Sequence, residues 1–158
     1  MNAIGNLALA LEPATAGTGS AAAGSLGRDE TIFFPDGLFG FPECRTYALF
    51  RTPHPGLFWL QSTEHDALTL LLADPFVFVD GYTVELAESD EKRLNAVAAS
   101  DVAILVTVTI AESHEQPSTA NLQGPIALNM KSGRARQVIV NDATFGVRHP
   151  IDLARGAS

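Results

Sequence analysis

The chain has little of what a disulfide-bonded, membrane-spanning or nucleic-acid-binding protein needs. Cys44 is the only cysteine among 158 residues, which excludes an intramolecular disulfide and fits a reducing compartment. No apolar run reaches the ~18 residues that a spanning helix requires, so we expect a cytoplasmic protein without membrane contact. Ten lysines and arginines stand against eighteen acidic residues, giving a net charge of −8. We therefore expect no direct nucleic-acid partner, because few cations are present to neutralise phosphates.

Motifs for catalysis and metal binding are also scarce. The four histidines are scattered, without the spacing that places two metal ligands on one element, and no G-x-S-x-G segment is present. We therefore predict no catalytic residue, no metal and no cofactor. The best acid–base candidate is Glu64-His65-Asp66, which we interpret as a solvated turn. The alternative is an enzyme or a small-molecule-binding barrel, which requires a concave pocket around a titrating His65.

Residues 1–30 differ in composition from the rest of the chain. Thirteen of the fifteen residues in Pro13–Gly27 are Ala, Gly, Ser or Thr, which predicts a disordered low-complexity tail. The alternative is a signal peptide with Leu7–Leu11 as its apolar region. No Lys or Arg precedes that region and Glu12 interrupts it, so the cytoplasmic interpretation is favoured.

From Thr31 onward, short apolar and β-branched segments recur between turn residues. This spacing predicts a mostly β, small antiparallel β-barrel-like domain over residues 31–153, followed by a short C-terminal tail at 154–158. One short helix is predicted at Glu88–Ala99, with Ser89 or Asp90 as its N-cap. The predicted strands are Thr31–Phe34, Thr46–Phe50, Leu57–Gln61, Leu68–Ala73, Phe76–Val79, Tyr82–Leu86, Val102–Ile110, Ile126–Met130 and Ala135–Val140.

Val102–Ile110 is the clearest strand, because apolar β-branched residues occupy every second position. We expect it to be central, with one face fully buried. Ile126–Met130 and Ala135–Val140 are predicted to form a hairpin, in which Gly133 is free to take a positive φ. Pro35-Asp36-Gly37 likewise predicts a turn.

Several segments, taken in order, resemble the FliW family of bacterial flagellar assembly factors. The resembling pieces cover about 120 residues, and their most distinctive segment is Thr119–Asn129 with the pattern T-A-N-L-x-x-P-I-x-x-N. The others are Phe34–Phe41 (F-P-D-G-L-F-G-F), Phe58–Ser62 (F-W-L-Q-S), Ala73–Phe76 (A-D-P-F), Arg136–Val140 (R-Q-V-I-V) and Arg148–Pro150 (R-H-P).

The chain departs from the family pattern in two places. The Ala/Gly/Ser-rich tail stands where the family has its first strand, and Leu7–Leu11 is the candidate to replace that strand. Gly124 stands where the family more often has Ala.

The resemblance implies a non-enzymatic regulator that binds flagellin and the RNA-binding translational repressor CsrA. By binding CsrA, such a protein relieves the repression of flagellin synthesis, either by steric cover or through a conformational effect. Flagellin is expected to contribute a helical segment. The chain's acidity agrees with a partner that is basic on its RNA-binding face.

We predict partner contacts at two kinds of residue. The acidic candidates for the basic partner are Glu64, Asp66 and the nearby Asp74. The apolar anchors are Phe39 and Phe58, for which burial in the core is the alternative. A diverged member that binds flagellin alone, in the manner of a chaperone, is a further alternative.

Overall fold

A computed structural model describes residues 3–4, 30–141 and 144–157. The predicted tail, including Leu7–Leu11, lies outside these residues except for Ala3–Ile4 and Glu30. The two helices are α1 (Pro75–Phe78) and α2 (Glu88–Leu94), and short 3₁₀ helices cover Ala99–Asp101 and Leu153–Ala157. The strands are β1 (Ala3–Ile4), β2 (Glu30–Phe33), β3 (Thr46–Arg51), β4 (Leu57–Ser62), β5 (Thr69–Ala73), β6 (Val84–Glu85), β7 (Val102–Thr109), β8 (Ser118–Ala120), β9 (Ile126–Asn129), β10 (Ala135–Gln137) and β11 (His149–Ile151).

Nine of these strands form one antiparallel sheet, which confirms the mostly β prediction. Its order is β10-β9-β7-β5-β4-β3-β2, and β8 and β11 extend it beside the second half of β7. The sheet curls like a barrel without closing, because a single bridge between Phe33 and Arg134 joins β2 to the β9–β10 hairpin. The remaining pair, β1 with β6, forms a separate two-stranded sheet.

The sheet is buried on both faces, so the domain has two apolar cores. Val102, Ile104 and Val106 of β7 pack in one core, while Ala103 and Leu105 pack in the other. The predicted alternation is correct, but the expectation of a single fully buried face is wrong. Phe78 and Leu94, from the two helices, cover the face of Val102, Ile104 and Val106. The face of Ala103 and Leu105 is covered by side chains of other strands of the curled sheet, such as Ile32 and Phe58.

The segment predicted as a strand at Phe76–Val79 is helix α1. Asp74 precedes this helix, and its side chain accepts a hydrogen bond from the backbone N–H of Phe76 at 2.9 Å. Pro75 occupies the first helical turn, where its fixed φ favours the helix and its missing N–H costs nothing. The N-cap and the proline therefore override the β propensity of the aromatic run.

Several other elements differ from the prediction; the strand predicted at Ala135–Val140, for example, ends at Gln137. Helix α2 ends at Leu94, because Asn95 adopts φ 57° there, and its N-cap is Ala87. The strand predicted at Tyr82–Leu86 is reduced to β6, which pairs with Ala3–Ile4 upstream of Leu7–Leu11. Strands β8 and β11 were not predicted, since three residues are too few to show a period. Neither helix in the described residues is long and apolar enough to cross a membrane.

Candidate partner-binding surface

The β2–β3 turn presents two phenylalanines to solvent on a constrained backbone. Gly37 has φ 72°, and a Cβ at this position would lie 2.7 Å from the Cα of Pro42, so only glycine fits. Leu38 is buried beneath the turn, while Phe39 is 57% exposed and Phe41 is 39% exposed. The turn predicted from Pro35-Asp36-Gly37 is therefore confirmed, and it displays aromatic side chains.

This turn lies beside β10 and forms a groove with it. The backbone N–H of Phe39 donates to Gln137 Oε1 at 2.9 Å, and Gln137 Nε2 donates to the carbonyl of Gly124 at 2.8 Å. The groove has a volume of about 450 Å³ and ends at Ile139, which is 69% exposed. We call this the seam groove and define it by Asp36, Phe39, Arg136, Gln137 and Ile139.

Ion pairs join the turn to β10 and to helix α2. Arg136 pairs with Asp36 of the turn, and its Nε donates to Asp90 Oδ1 of α2 at 2.8 Å. Arg93 of α2 lies 3.5 Å from the same Asp36 carboxylate. Arg136 is only partly exposed, so its pairs are less screened than surface pairs and help to hold the turn against the sheet.

The β4–β5 turn carries the predicted acidic pair and contacts the start of β3. Glu64 Oε2 accepts hydrogen bonds from the backbone N–H groups of Arg45 at 2.6 Å and Thr46 at 3.2 Å. These two donors hold the pKa of Glu64 below its ordinary value. Asp66 is exposed, and its backbone carbonyl accepts from Gln61 Nε2 at 3.2 Å. The hydrogen bonds of Glu64 thus join the β4–β5 turn to the end of the segment that follows Phe39.

Two of the predicted contact residues lie inside the domain. Phe58 is 2% exposed and belongs to a core cluster, so the core interpretation of this side chain is correct. Asp74 is 1% exposed and caps helix α1, which removes it from the acidic surface. Strand alternation turns Phe58 inward and its neighbour Trp59 outward, where Trp59 is 41% exposed.

Comparisons with known proteins match this chain over most of its length. A family model described as "FliW protein" matches residues 19–151. The chain belongs to the FliW family. It is 33% identical over 123 residues to the flagellar assembly factor FliW of Treponema denticola, covering 78% of this chain and 83% of that protein. The FliW of Bacillus licheniformis is 36% identical over 124 residues, covering 78% of this chain and 86% of that protein.

A solved structure also matches the fold. The crystal structure of a flagellar assembly factor FliW has a TM-score of 0.70 and 30% sequence identity, and the match covers 76% of this chain and 84% of that one. The antiparallel sheet described above is therefore the FliW fold.

Gly124 lies next to Gln137 of the seam groove. A Cβ at Gly124 would lie 3.1 Å from Gln137 Nε2 and 3.2 Å from Asn121 Nδ2, which is a tight contact. Glycine leaves room for Gln137 to reach the Gly124 carbonyl and to hold Phe39. Asn121 shapes the bend between β8 and β9, because its Oδ1 accepts from the N–H groups of Gln123 and Gly124, each at 3.1 Å.

The acid–base alternative at Glu64-His65-Asp66 gains no support from the geometry. All three residues are exposed, and the Glu64 carboxylate is bonded to backbone amides of the β2–β3 segment. The part of the chain that the structure describes contains no group of three or more His, Cys, Asp or Glu able to hold a metal ion.

Sequence reasoning missed Phe41, Ile139 and Arg136 as parts of this surface. Phe41 carried a signal, because it follows Gly40 in the same turn as Phe39. The sequence gives no signal for Ile139 and Arg136, since their exposure depends on which neighbours the sheet places beside β10.

Proposed function

We propose that this FliW-family chain binds flagellin and the RNA-binding translational repressor CsrA in the cytoplasm, and that its capture of CsrA relieves repression of flagellin synthesis. The observation that carries this proposal is an apolar surface, Phe39 with Ile139, that is held rigidly and joined to an acidic turn. The chain would act by binding alone.

Phe39 is the proposed anchor for flagellin. Its backbone is fixed by Gln137 and by the two backbone hydrogen bonds between Leu38 and Phe41, so little conformational entropy remains to be lost when a partner covers the ring. Exposed aromatic side chains on a rigid support are typical binding hot spots.

Glu64 and Asp66 are the proposed contacts for the basic face of CsrA. Both are exposed, and Glu43 adds a third exposed acid in the adjoining β2–β3 segment. Such charges mainly raise the association rate and favour a partner whose contact surface has the opposite charge. Asp66 is the better residue to test, because the Glu64 carboxylate also stabilises the start of β3.

The flagellin contact is tested by titration calorimetry with purified flagellin. We expect Phe39→Ala to weaken binding by at least about tenfold, the loss typical of a hot-spot side chain. Trp59→Ala is the matched control, because Trp59 is an exposed aromatic outside the seam groove. Equal binding by wild type and Phe39→Ala would contradict the role of Phe39.

The CsrA contact is tested with the purified repressor at low and at high salt. We expect Asp66→Lys to slow association at low salt, and salt to reduce the difference from wild type. Glu85→Lys, which changes an exposed acid on β6, is the control for net charge. Undiminished CsrA binding by Asp66→Lys at low salt would refute the acidic contact. Binding of flagellin without any binding of CsrA would favour the diverged, chaperone-like alternative.

A further inference from the structure

The outer edge formed by β10 and the residues that follow it, 138–140, presents backbone groups that have no partner in the described part of the chain. The N–H groups of Val138 and Val140 donate to Pro125 and Gln123, just before β9, both at 2.9 Å, so these two residues point to the β9 side. Because a strand alternates, the N–H and C=O groups of Gln137 and Ile139 point away from β9 into the seam groove. No other described residue hydrogen-bonds to these four groups.

The missing neighbour is explained by where β2 ends. Phe33 N–H donates to the Gly133 carbonyl at 2.9 Å, which makes the single bridge between the two end strands. Beyond Phe33 the chain turns away at Pro35, so β2 does not continue alongside Gln137 and Ile139. The curled sheet thus stays open at the position of the seam groove.

The walls of the groove suit an extended, apolar peptide. Phe39 and Ile139 expose apolar surface on its two sides. The charged groups beside them, Asp36, Asp90 and Arg136, are already paired with one another, so an entering chain need not supply a counter-ion. A docked helix would hydrogen-bond its backbone groups within itself and leave the free N–H and C=O groups of this edge unpaired. An added strand would instead pair its own backbone groups with those of the edge.

We propose that the seam groove receives an extended segment of flagellin as an added strand on β10, with one of its apolar side chains between Phe39 and Ile139. This inference rests on the proposed function for the identity of the partner. It replaces the helical docking expected from the family resemblance with hydrogen bonding to the backbone of Gln137 and Ile139.

Two substitutions at one position separate backbone from side-chain recognition. Ile139→Pro removes an N–H that points away from β9, so it leaves the hairpin ladder intact. Ile139→Ala keeps that N–H and removes most of the side chain. We expect Ile139→Pro to weaken flagellin binding about tenfold more than Ile139→Ala, as the loss of a backbone hydrogen bond implies. Ile110→Ala, at an exposed isoleucine outside the groove, is the surface control.

A second measurement does not depend on the folding of any variant. Amide hydrogen exchange of the wild-type protein, followed by NMR with and without flagellin, should slow at Gln137 and Ile139 when an added strand covers them. The unfolding midpoint of Ile139→Pro, compared with that of wild type, shows whether its binding loss is specific.

The outcomes distinguish this inference from the proposed function. Flagellin bound equally by Ile139→Pro and Ile139→Ala, with unchanged exchange at Gln137 and Ile139, refutes strand addition and leaves the proposed function standing. No flagellin binding by the wild type refutes both. Concentration-dependent dimerisation that Ile139→Pro abolishes would make a second copy of this chain the occupant, and would overturn flagellin as the added strand.

Discussion

Tyr47 carries a buried hydroxyl group whose removal should stabilise the protein. The residue is 0% exposed in β3, and its ring meets Phe34 edge-on at a centroid distance of 5.3 Å. Its hydroxyl oxygen has no hydrogen-bond partner among the residues that the structure describes. Burial, together with the nearby Cys44 and Glu64, raises the pKa of Tyr47 to about 12.

The expected gain follows from the cost of that hydroxyl. A buried polar group without a partner costs about 1–3 kcal/mol, and Tyr47→Phe removes it while keeping the ring packed on Phe34. The small void left by the oxygen offsets part of this gain. We therefore expect the free energy of unfolding to rise by about 1 kcal/mol, which for a chain of this size raises Tm by about 2–4 °C.

Tyr82 offers the same substitution in the opposite situation. Its hydroxyl is buried and donates to the carbonyl of Leu122 at 2.7 Å. Tyr82→Phe removes this hydrogen bond and leaves the Leu122 carbonyl without its tyrosine donor, so we expect the free energy of unfolding to fall by about 1–3 kcal/mol. One chemical change should thus give two effects of opposite sign.

Urea unfolding of the wild type and both variants, followed by Trp59 fluorescence, measures the two effects. A lower unfolding free energy for Tyr47→Phe would refute the reasoning, because it would mean that the Tyr47 hydroxyl is well hydrogen-bonded. Repeating the urea unfolding at alkaline pH tests the raised pKa of Tyr47. As pH rises above 10 the unfolded tyrosine ionises while the folded one stays protonated, so the wild type loses stability and its gap to Tyr47→Phe should widen.

Three further predictions concern groups that hold the surface in place. Asn129→Ala should lower the unfolding free energy by about 2–4 kcal/mol in urea unfolding, since Asn129 Nδ2 donates to the Leu94 carbonyl at 2.8 Å and its Oδ1 accepts from Lys131 N–H at 2.9 Å. Glu64→Gln should lower the Tm near neutral pH and cease to do so in acid. Because the pKa of Glu64 is lowered in the folded protein, its carboxylate stabilises the fold at any pH above the ordinary pKa of glutamate. This stabilisation is lost as the pH falls through the lowered pKa. Gly37→Ala should destabilise by more than about 1 kcal/mol in the same urea assay, because alanine meets Pro42 at a positive φ.

Local sequence signals predicted the elements whose causes lie within a few residues. The alternation of β7, the turn at Gly37 and the hairpin with Gly133 at φ 78° were all visible in the chain, because period and turn chemistry are local. Helix α1 was also locally encoded, by Asp74 and Pro75, but the aromatic run after them was given more weight. The order of the resembling segments along the chain also identified the family.

The surface itself was decided by contacts between distant parts of the chain. Phe39 and Phe58 are the same residue type in similarly apolar segments, yet one is exposed and the other lies in the core. Phe39 is held by Gln137, 98 residues away, and Asp36 pairs with Arg136, 100 residues away. Sequence alone therefore determined most of the strands of the large sheet, the turns at Gly37 and Gly133, and the family of this protein. The tertiary structure alone decided which side chains face a partner and where the sheet stays open, because burial and strand neighbours depend on what the rest of the chain brings alongside.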